Sequence, residues 1–259
     1  MVYKIEGLGW LADPPSAQDF TLDSAQIADI LGQKFQGLAG QVTEKPPAVA
    51  DITQFDTSIR DQLNIGSCVG HGVCAVMESA IKKETGEEVS LSPRYSYKTM
   101  RYKMGEFYEY NDTGAFIRSG IGAAVSHGVP PEGFWPYVAK DNVKNEWNDI
   151  PHALVIPFAM SFMIDKYMRL DAQDYPTKEV LNLIKTAVAV DQTPVVFGFS
   201  VFPSINSHET ASTGKIRFRR MGEGSPIGGH AVAIVGYDDS ITFGGTTGAF
   251  KIKNSWGTQ

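Results

Sequence analysis

Four residues stand out for what their side chains can do together: Gln62, Cys68, His230 and Asn254. A lone cysteine is in most proteins a small buried hydrophobe. Cys68, however, follows Gly66-Ser67 and opens an apolar helical pattern. A helix N-terminus offers free N–H donors and about half a positive charge. Both favour thiolate over thiol, so the expectation is a nucleophile with a lowered pKa. A thiolate of this kind needs a base, and the base needs a holder. His230 follows Gly228-Gly229 and opens the apolar run AVAIVGY; taken alone, such a histidine is more often structural. Asn254 closes the next apolar run, in Lys253-Asn254-Ser255-Trp256-Gly257. If the two runs pair as strands, the Asn254 carbonyl meets the imidazole and fixes its tautomer and ring angle. Gln62 lies six residues before Cys68 and by itself is an ordinary loop residue. Looped back to the helix start, its amide can donate to an oxyanion, with the Cys68 N–H as second donor.

The elements that must position these groups are legible in the periodicity. Cys68 to Glu84 reads as the best helix, with Val69, Val73, Val76, Met77, Ala80 and Ile81 at three- and four-residue steps. Ser67 is its expected N-cap and Gly86 its stop. Gly70 and Gly72 weaken it, which predicts close packing against the backbone there. Further helices are expected over Leu22–Gln36, Ala115–His127 and Thr177–Val190, and strands over Pro194–Phe202, Ala231–Tyr237 and Ala249–Lys253. Residues 37–50, with Pro46-Pro47, read as a linker, and 238–248 as a turn and loop. A helical first half and a β-rich second half predict an α+β fold of two subdomains.

Composition bounds the classes. The 259 residues are 42% hydrophobic and 20% charged, with net charge −6. This is the profile of a globular protein with a real core. It argues against nucleic acid as a partner, since such binders are usually basic. Two cysteines, Cys68 and Cys74, cannot form a disulfide framework, which fits a reducing compartment. There is no apolar run of the ~18 residues a membrane span needs, and no secretory signal is visible. The expectation is therefore a cytoplasmic monomer with no membrane as partner. No histidine spacing suggests a metal, and neither GLG nor GGTTG has the context of a phosphate loop, so no cofactor is expected.

Taken together, the residues resemble the papain family of cysteine peptidases. The shared pieces are Gln-x5-Cys opening an apolar helix, Gly-His-Ala-Val with Val-Gly-Tyr, and Lys-Asn-Ser-Trp-Gly, in the family's order. Leu91-Ser92-Pro93, Asp112-Thr113-Gly114, Phe134-Trp135-Pro136-Tyr137 and Thr213-Gly214-Lys215-Ile216 resemble further family segments. The resemblance spans roughly residues 46–257. It departs at Val69, where the family has Trp, and at Ile65, where it has a disulfide cysteine. Those departures suggest a bacterial or archaeal branch, and residues 1–50, especially GLGWLADPPSAQDF, resemble the short pro-region of its bacterial members. The stretch from Cys68 to His230 exceeds the ~130–150 residues common in papain-like enzymes, so insertions are expected around 100–110 and 137–152.

The resemblance implies a papain-like fold: residues 1–45 as a pro-region or strap, 46–158 as a helical subdomain, and 159–259 as a β-rich, barrel-like subdomain. It implies peptide-bond hydrolysis through a Cys68 thioacyl-enzyme in the cleft between the two subdomains. His230 would act as the proton carrier, Asn254 as its orienter and Gln62 as oxyanion donor, with Trp256 shielding the pair. Peptide substrate would lie along Gly114 and Thr113, with a pocket at Gly198, Gly229 and Ala231. Residues 1–45 would hold the enzyme as a zymogen, with Trp10 or Leu11 plugging a subsite. The alternatives are an acyl transferase or transpeptidase using the same pair, or a catalytically silent binding protein. In the family, Asn-Ser-Trp-Gly continues into a second Trp-Gly and a Gly-Tyr strand, so a native chain longer than 259 residues is expected.

Overall fold

The computed structural model describes residues 7–17, 19–21, 24, 25, 27, 45–139 and 146–258. Most of the expected helix over 22–36, most of the expected linker and part of the 137–152 insertion lie outside these residues. In chain order the main elements are β1 (Trp10–Leu11), β2 (Val49–Asp51), α1 (Cys68–Thr85), α2 (Pro93–Met104), α3 (Glu106–Tyr110), β3 (Ala115–Phe116), α4 (Ile117–His127), α5 (Val155–Met160), α6 (Thr177–Ala189), β4 (Val195–Val201), α7 (His208–Thr213), β5 (Gly228–Phe243) and β6 (Thr246–Lys253). The mix of helices with an antiparallel sheet is the α+β class expected from the sequence.

Helix α1 is the spine of the molecule. Its apolar steps bury Val69, Val73 and Met77 in one core with Met100 of α2 and Ala123 and Ala124 of α4. The two glycines explain how closely its neighbours approach. A Cβ on Gly70 would come within 2.9 Å of the Pro93 carbonyl oxygen, and one on Gly72 within 3.3 Å of the Val196 side chain. Gly86 ends the helix in the left-handed conformation at φ 77°, where glycine avoids the Cβ penalty. Ser67 departs from expectation. It stands at the N-cap position but its hydroxyl caps no helix N–H. That hydroxyl lies 2.6 Å from the Tyr137 hydroxyl instead.

Strand β5 is the second spine. Residues 230–237 are all buried, as a continuous apolar run predicts for a strand covered on both faces. Ala231 enters the α1 core. Ala233, Ile234 and Val235 join a second core with Ile184 and Val188 of α6 and Ile52. β4 pairs antiparallel with the start of β5, Phe199 opposite His230. β6 pairs with its later part, Ala233 opposite Lys253, and β2 pairs through Ala50 and Tyr237. The expected turn at Asp238-Asp239 is not the end of the strand. β5 runs on to Phe243, with an irregularity between Asp238 and Thr242, and the chain reverses at Gly244-Gly245. The two glycines at positive φ supply that reversal. The Asx-type bonds from Ser240 to Asp238 (2.6 and 2.8 Å) accompany the irregularity and had made the site look like a turn.

Candidate active site

The antiparallel pairing of β5 with β6 brings the first residue of one run beside the last of the other. The His230 Nε2 lies 2.7 Å from the Asn254 Oδ1. An amide oxygen can only accept, so Nε2 carries the proton. Nδ1 has no hydrogen-bond partner and is left as the basic nitrogen. The Trp256 ring stacks on the imidazole, with centroids 4.2 Å apart at 22°. Phe199 meets the same ring edge-on at 5.9 Å. His230 is fully buried, and burial lowers its pKa to about 4 in spite of the Asn254 bond.

Gln62 is placed by a short backbone zipper. Its N–H donates to the Ser255 carbonyl (2.8 Å) and the Gly257 N–H to the Arg60 carbonyl (3.0 Å), which ties the residues before α1 to those after β6. The Ser255 hydroxyl donates to Gln62 Oε1 (2.6 Å), which fixes the amide orientation with its NH2 free to point elsewhere. The Tyr137 hydroxyl donates to the Gln62 backbone carbonyl (2.8 Å). It has one proton to give, so in the Ser67 contact the serine is the donor. Ser255 and Tyr137 are therefore positioning residues that reading by type did not single out. Both sit inside motifs already quoted, Asn-Ser-Trp and Trp-Pro-Tyr, but only their contacts give them a role.

His71, one turn along α1, is buried and bonds its Nδ1 to the Ser67 carbonyl (3.1 Å). Burial lowers its pKa to about 3, so it stays neutral and uncharged beside the helix start.

Cys68 is at the head of α1, as expected, but its ionisation is not. Burial pushes the thiol up to about 11, although the N–H groups of Ala231 and Gly9 both reach the sulfur and favour its anion. The expected lowered pKa fails in this state because the sulfur is covered. The cover is residues 7–11. The Ala115 N–H donates to the Gly9 carbonyl (2.7 Å), and β1 runs parallel to β3, Trp10 opposite Ala115. Gly9, Gly66 and Gly114 meet backbone to backbone, with no room for a Cβ on Gly9 or Gly114. The Gln62 Nε2 donates to the Gly7 carbonyl (2.5 Å) and the Ile65 carbonyl (2.9 Å). The Trp10 indole packs against Gly198 and Gly229, and Leu8 packs on Gly228. Of the two expected plugs, Trp10 fills the glycine-lined recess, whereas Leu11 pairs with Phe116.

Two aspartates anchor this segment. Asp13 accepts from the Ile117 and Arg118 N–H groups (3.2 and 3.1 Å) at the first turn of α4, where an anion suits the helix dipole. Asp19 takes Arg118 at 2.5 and 2.7 Å and Arg169 at 2.9 Å. Burial raises the Asp19 pKa, but the bonds from Arg118 and Arg169 outweigh it and hold the carboxyl below its usual range. Among the expected substrate-side residues, Gly114, Gly198 and Gly229 line the space that residues 7–11 occupy, while the Ala231 N–H reaches the Cys68 sulfur. The Thr113 hydroxyl turns to the Gly114 carbonyl (3.0 Å).

A buried thiol at a helix start, an imidazole held by an asparagine across paired strands, and a side-chain amide beside them define the architecture of a cysteine peptidase. The family model described as papain family cysteine protease matches residues 47–259, and the chain belongs to that family. A relative from Acanthamoeba polyphaga mimivirus, called an uncharacterized peptidase C1-like protein, is 31% identical over 222 residues. That match covers 85% of this chain and 64% of the relative, so the chain spans less than two thirds of the relative's length. Among solved structures, xylellain, a cysteine protease from Xylella fastidiosa, superposes with TM-score 0.73 at 27% identity, over 99% of this chain and 88% of that one. A procathepsin B from Trypanosoma congolense shares the fold, with TM-score 0.62 at 16% identity over 96% and 76% of the two chains. No helix among the described residues is long and apolar enough to cross a membrane.

Proposed function

We propose that the chain is a cysteine endopeptidase whose residues 1–45 hold it as a zymogen, with residues 46–158 and 159–259 forming the two sides of the cleft. The observation that carries the catalytic reading is the 2.7 Å bond from His230 Nε2 to Asn254, which leaves Nδ1 free for the proton of Cys68. In the opened enzyme the thiol proton passes to Nδ1 and the sulfur attacks the scissile carbonyl carbon. The oxyanion takes the Gln62 amide and the Cys68 N–H. His230 returns the proton to the leaving amine as the C–N bond breaks, which leaves a thioester. Water then gives a proton to His230, attacks the thioester and restores the thiol.

Support for the zymogen reading comes from which groups the segment presents. The sulfur accepts from the backbone N–H of Gly9. The Gln62 amide is spent on the Gly7 carbonyl. Nucleophile and oxyanion donor are thus both occupied by a peptide that does not present one carbonyl to both. The procathepsin B neighbour is itself a pro-form, in keeping with this reading. The test is labelling by a peptidyl epoxide. A chain starting at Pro46 should be labelled at Cys68 and should cleave peptides, with both lost in Cys68→Ala. Equal peptidase activity in Cys68→Ala would refute the assignment, and trapping of added amine in preference to water would point to a transferase.

A further inference from the structure

The chain carries net charge −6, yet the segment joining α7 to β5 is basic. It holds Lys215, Arg217, Arg219 and Arg220 against Glu223. Arg217 forks onto Glu223 at 2.9 and 3.0 Å, and the Arg220 N–H donates to the same carboxylate (2.9 Å). Glu223 is held at about 2 by bonds from the Ser204 hydroxyl, the Arg220 N–H and Arg217. That knot shapes the loop and neutralises one cation. Lys215, Arg219 and Arg220 have no carboxylate partner among the described residues. Two of them rest on rings instead, Arg219 over Phe202 at 5.4 Å and Lys215 over Phe243 at 5.6 Å. A ring face places a cation without cancelling its charge. Among these cations, Phe218 is 74% exposed and Met221 100% exposed. Large apolar side chains set between unpaired cations mark a surface for a partner of opposite charge.

The cleft gives that surface an address. Trp10 covers Gly198 and Gly229, Gly9 covers the thiol, and Leu8 lies beyond it on Gly228. With the acyl half of a substrate at Gly114 and Gly198, the Leu8 side is where the leaving half departs. Gly228 is also where the basic loop enters β5, through the Ile227 N–H bond to the Val201 carbonyl (2.7 Å). We propose that residues 215–221 form a docking surface for acidic, apolar-spaced peptide on the leaving side of the scissile bond. Lys215, Arg219 and Arg220 meet its carboxylates, and Phe218 and Met221 meet the apolar side chains between them. The orientation rests on the peptidase reading. A peptide fits better than an anionic bilayer, because the loop leads into β5 beside Gly228 and two cations are set at fixed points over the Phe202 and Phe243 rings.

The loop lies outside the region covered by residues 7–11, so the full chain can be tested. With Cys68→Ala full chain, a fluorescein-labelled peptide alternating Glu and Phe is titrated by anisotropy, beside the same peptide with Lys for Glu. The acidic peptide should bind more tightly, and should loosen as salt rises. Each lost cation should weaken it about two- to fivefold. Arg219→Glu with Arg220→Glu should weaken it on the order of tenfold or more, and Phe218→Ala should weaken it at every salt. Lys178→Glu, the same charge change on α6, should leave it unchanged. Equal binding of the two peptides, no effect of the Arg219/Arg220 pair, or tight binding to phosphatidylserine vesicles in place of the acidic peptide would each overturn the proposal. None of these outcomes depends on Cys68 chemistry. A chain starting at Pro46 with Cys68 intact that binds the acidic peptide but cleaves no peptide would sink the peptidase reading and leave this surface standing.

Discussion

The His230–Ala231 stretch and the Gly7–Leu11 stretch both reach Cys68, through the Ala231 and Gly9 N–H groups, but they are held there by different forces. His230 belongs to β5, whose residues 230–237 are all buried between two apolar cores. Its ring is fixed by Asn254 and the stacked Trp256. Displacing it means unpairing β5 from β4 and β6. The Gly7–Leu11 stretch is held by a two-residue pairing with β3, by glycine-to-glycine contact and by the anchors at Asp13 and Asp19. Displacing it breaks a handful of bonds and leaves both cores intact. One neighbour of the thiol is thus built into the fold and the other is laid across it. A short, peripherally bonded segment opens at a free-energy cost well below global unfolding.

Mutations can break this comparison from either side. The largest effect is expected for Cys68→Ala, which should abolish turnover by the opened enzyme in a peptide-cleavage assay. Gln62→Ala should lower kcat on the order of 10²-fold with the fold intact, and the fall should be seen only once residues 7–11 are out of the cleft. Gly9→Val tests the other side. A side chain there collides with Gly66 backbone, and overpacking of this kind costs about 1–3 kcal/mol. The full chain should gain activity by roughly 5- to 150-fold as the closed form loses that much. Unchanged activity with an unchanged thermal midpoint would mean that the segment does not restrain the site. Arg118→Ala removes the main partner of Asp19 and should raise full-chain activity by no more than about fivefold, less at high salt.

The last effect is that of pH on stability. His71 and His230 sit at about 3 and 4 when folded, against an ordinary value of 6.5, and burial is the cause in both. Unfolded imidazoles therefore bind protons that the folded ones refuse. Stability should be full above pH 6.5, fall as pH drops through 6 and 5, and level off below about 3 so far as these two groups are concerned. Thermal midpoints of His71→Phe should show a shallower acid loss than the parent. An equal slope would place the loss in other groups.

How much of this was legible beforehand depended on which distances the sequence fixes. Helix α1 could be read because its apolar steps and its stop at Gly86 are local. The meeting of His230 with Asn254 could be read because two adjacent runs of the right length pair antiparallel almost by default. Gly70 and Gly72 announced close packing without saying against what. The strand end at Asp238 was misread because Asp-Asp-Ser makes local bonds that favour a turn, while pairing with β6 carried the strand past it. Ser67 was expected to cap and instead reaches Tyr137, a contact across 70 residues. The ionisation of Cys68 went furthest wrong. Position at a helix start is local and lowers a thiol pKa, but burial under a segment some sixty residues earlier in the chain raises it more. No spacing rule records such a cover.

The central claim is that residues 7–11, and not the site itself, keep Cys68 unreactive. It is tested most directly by the rate of Cys68 alkylation by iodoacetamide as a function of pH, in the full chain and in a chain starting at Pro46. The full chain should react slowly near neutral pH and accelerate only toward about 11, where its buried thiol ionises. The shortened chain should react fast at neutral pH, as a helix-start thiolate beside an imidazole does. Matching profiles in the two chains would contradict the account.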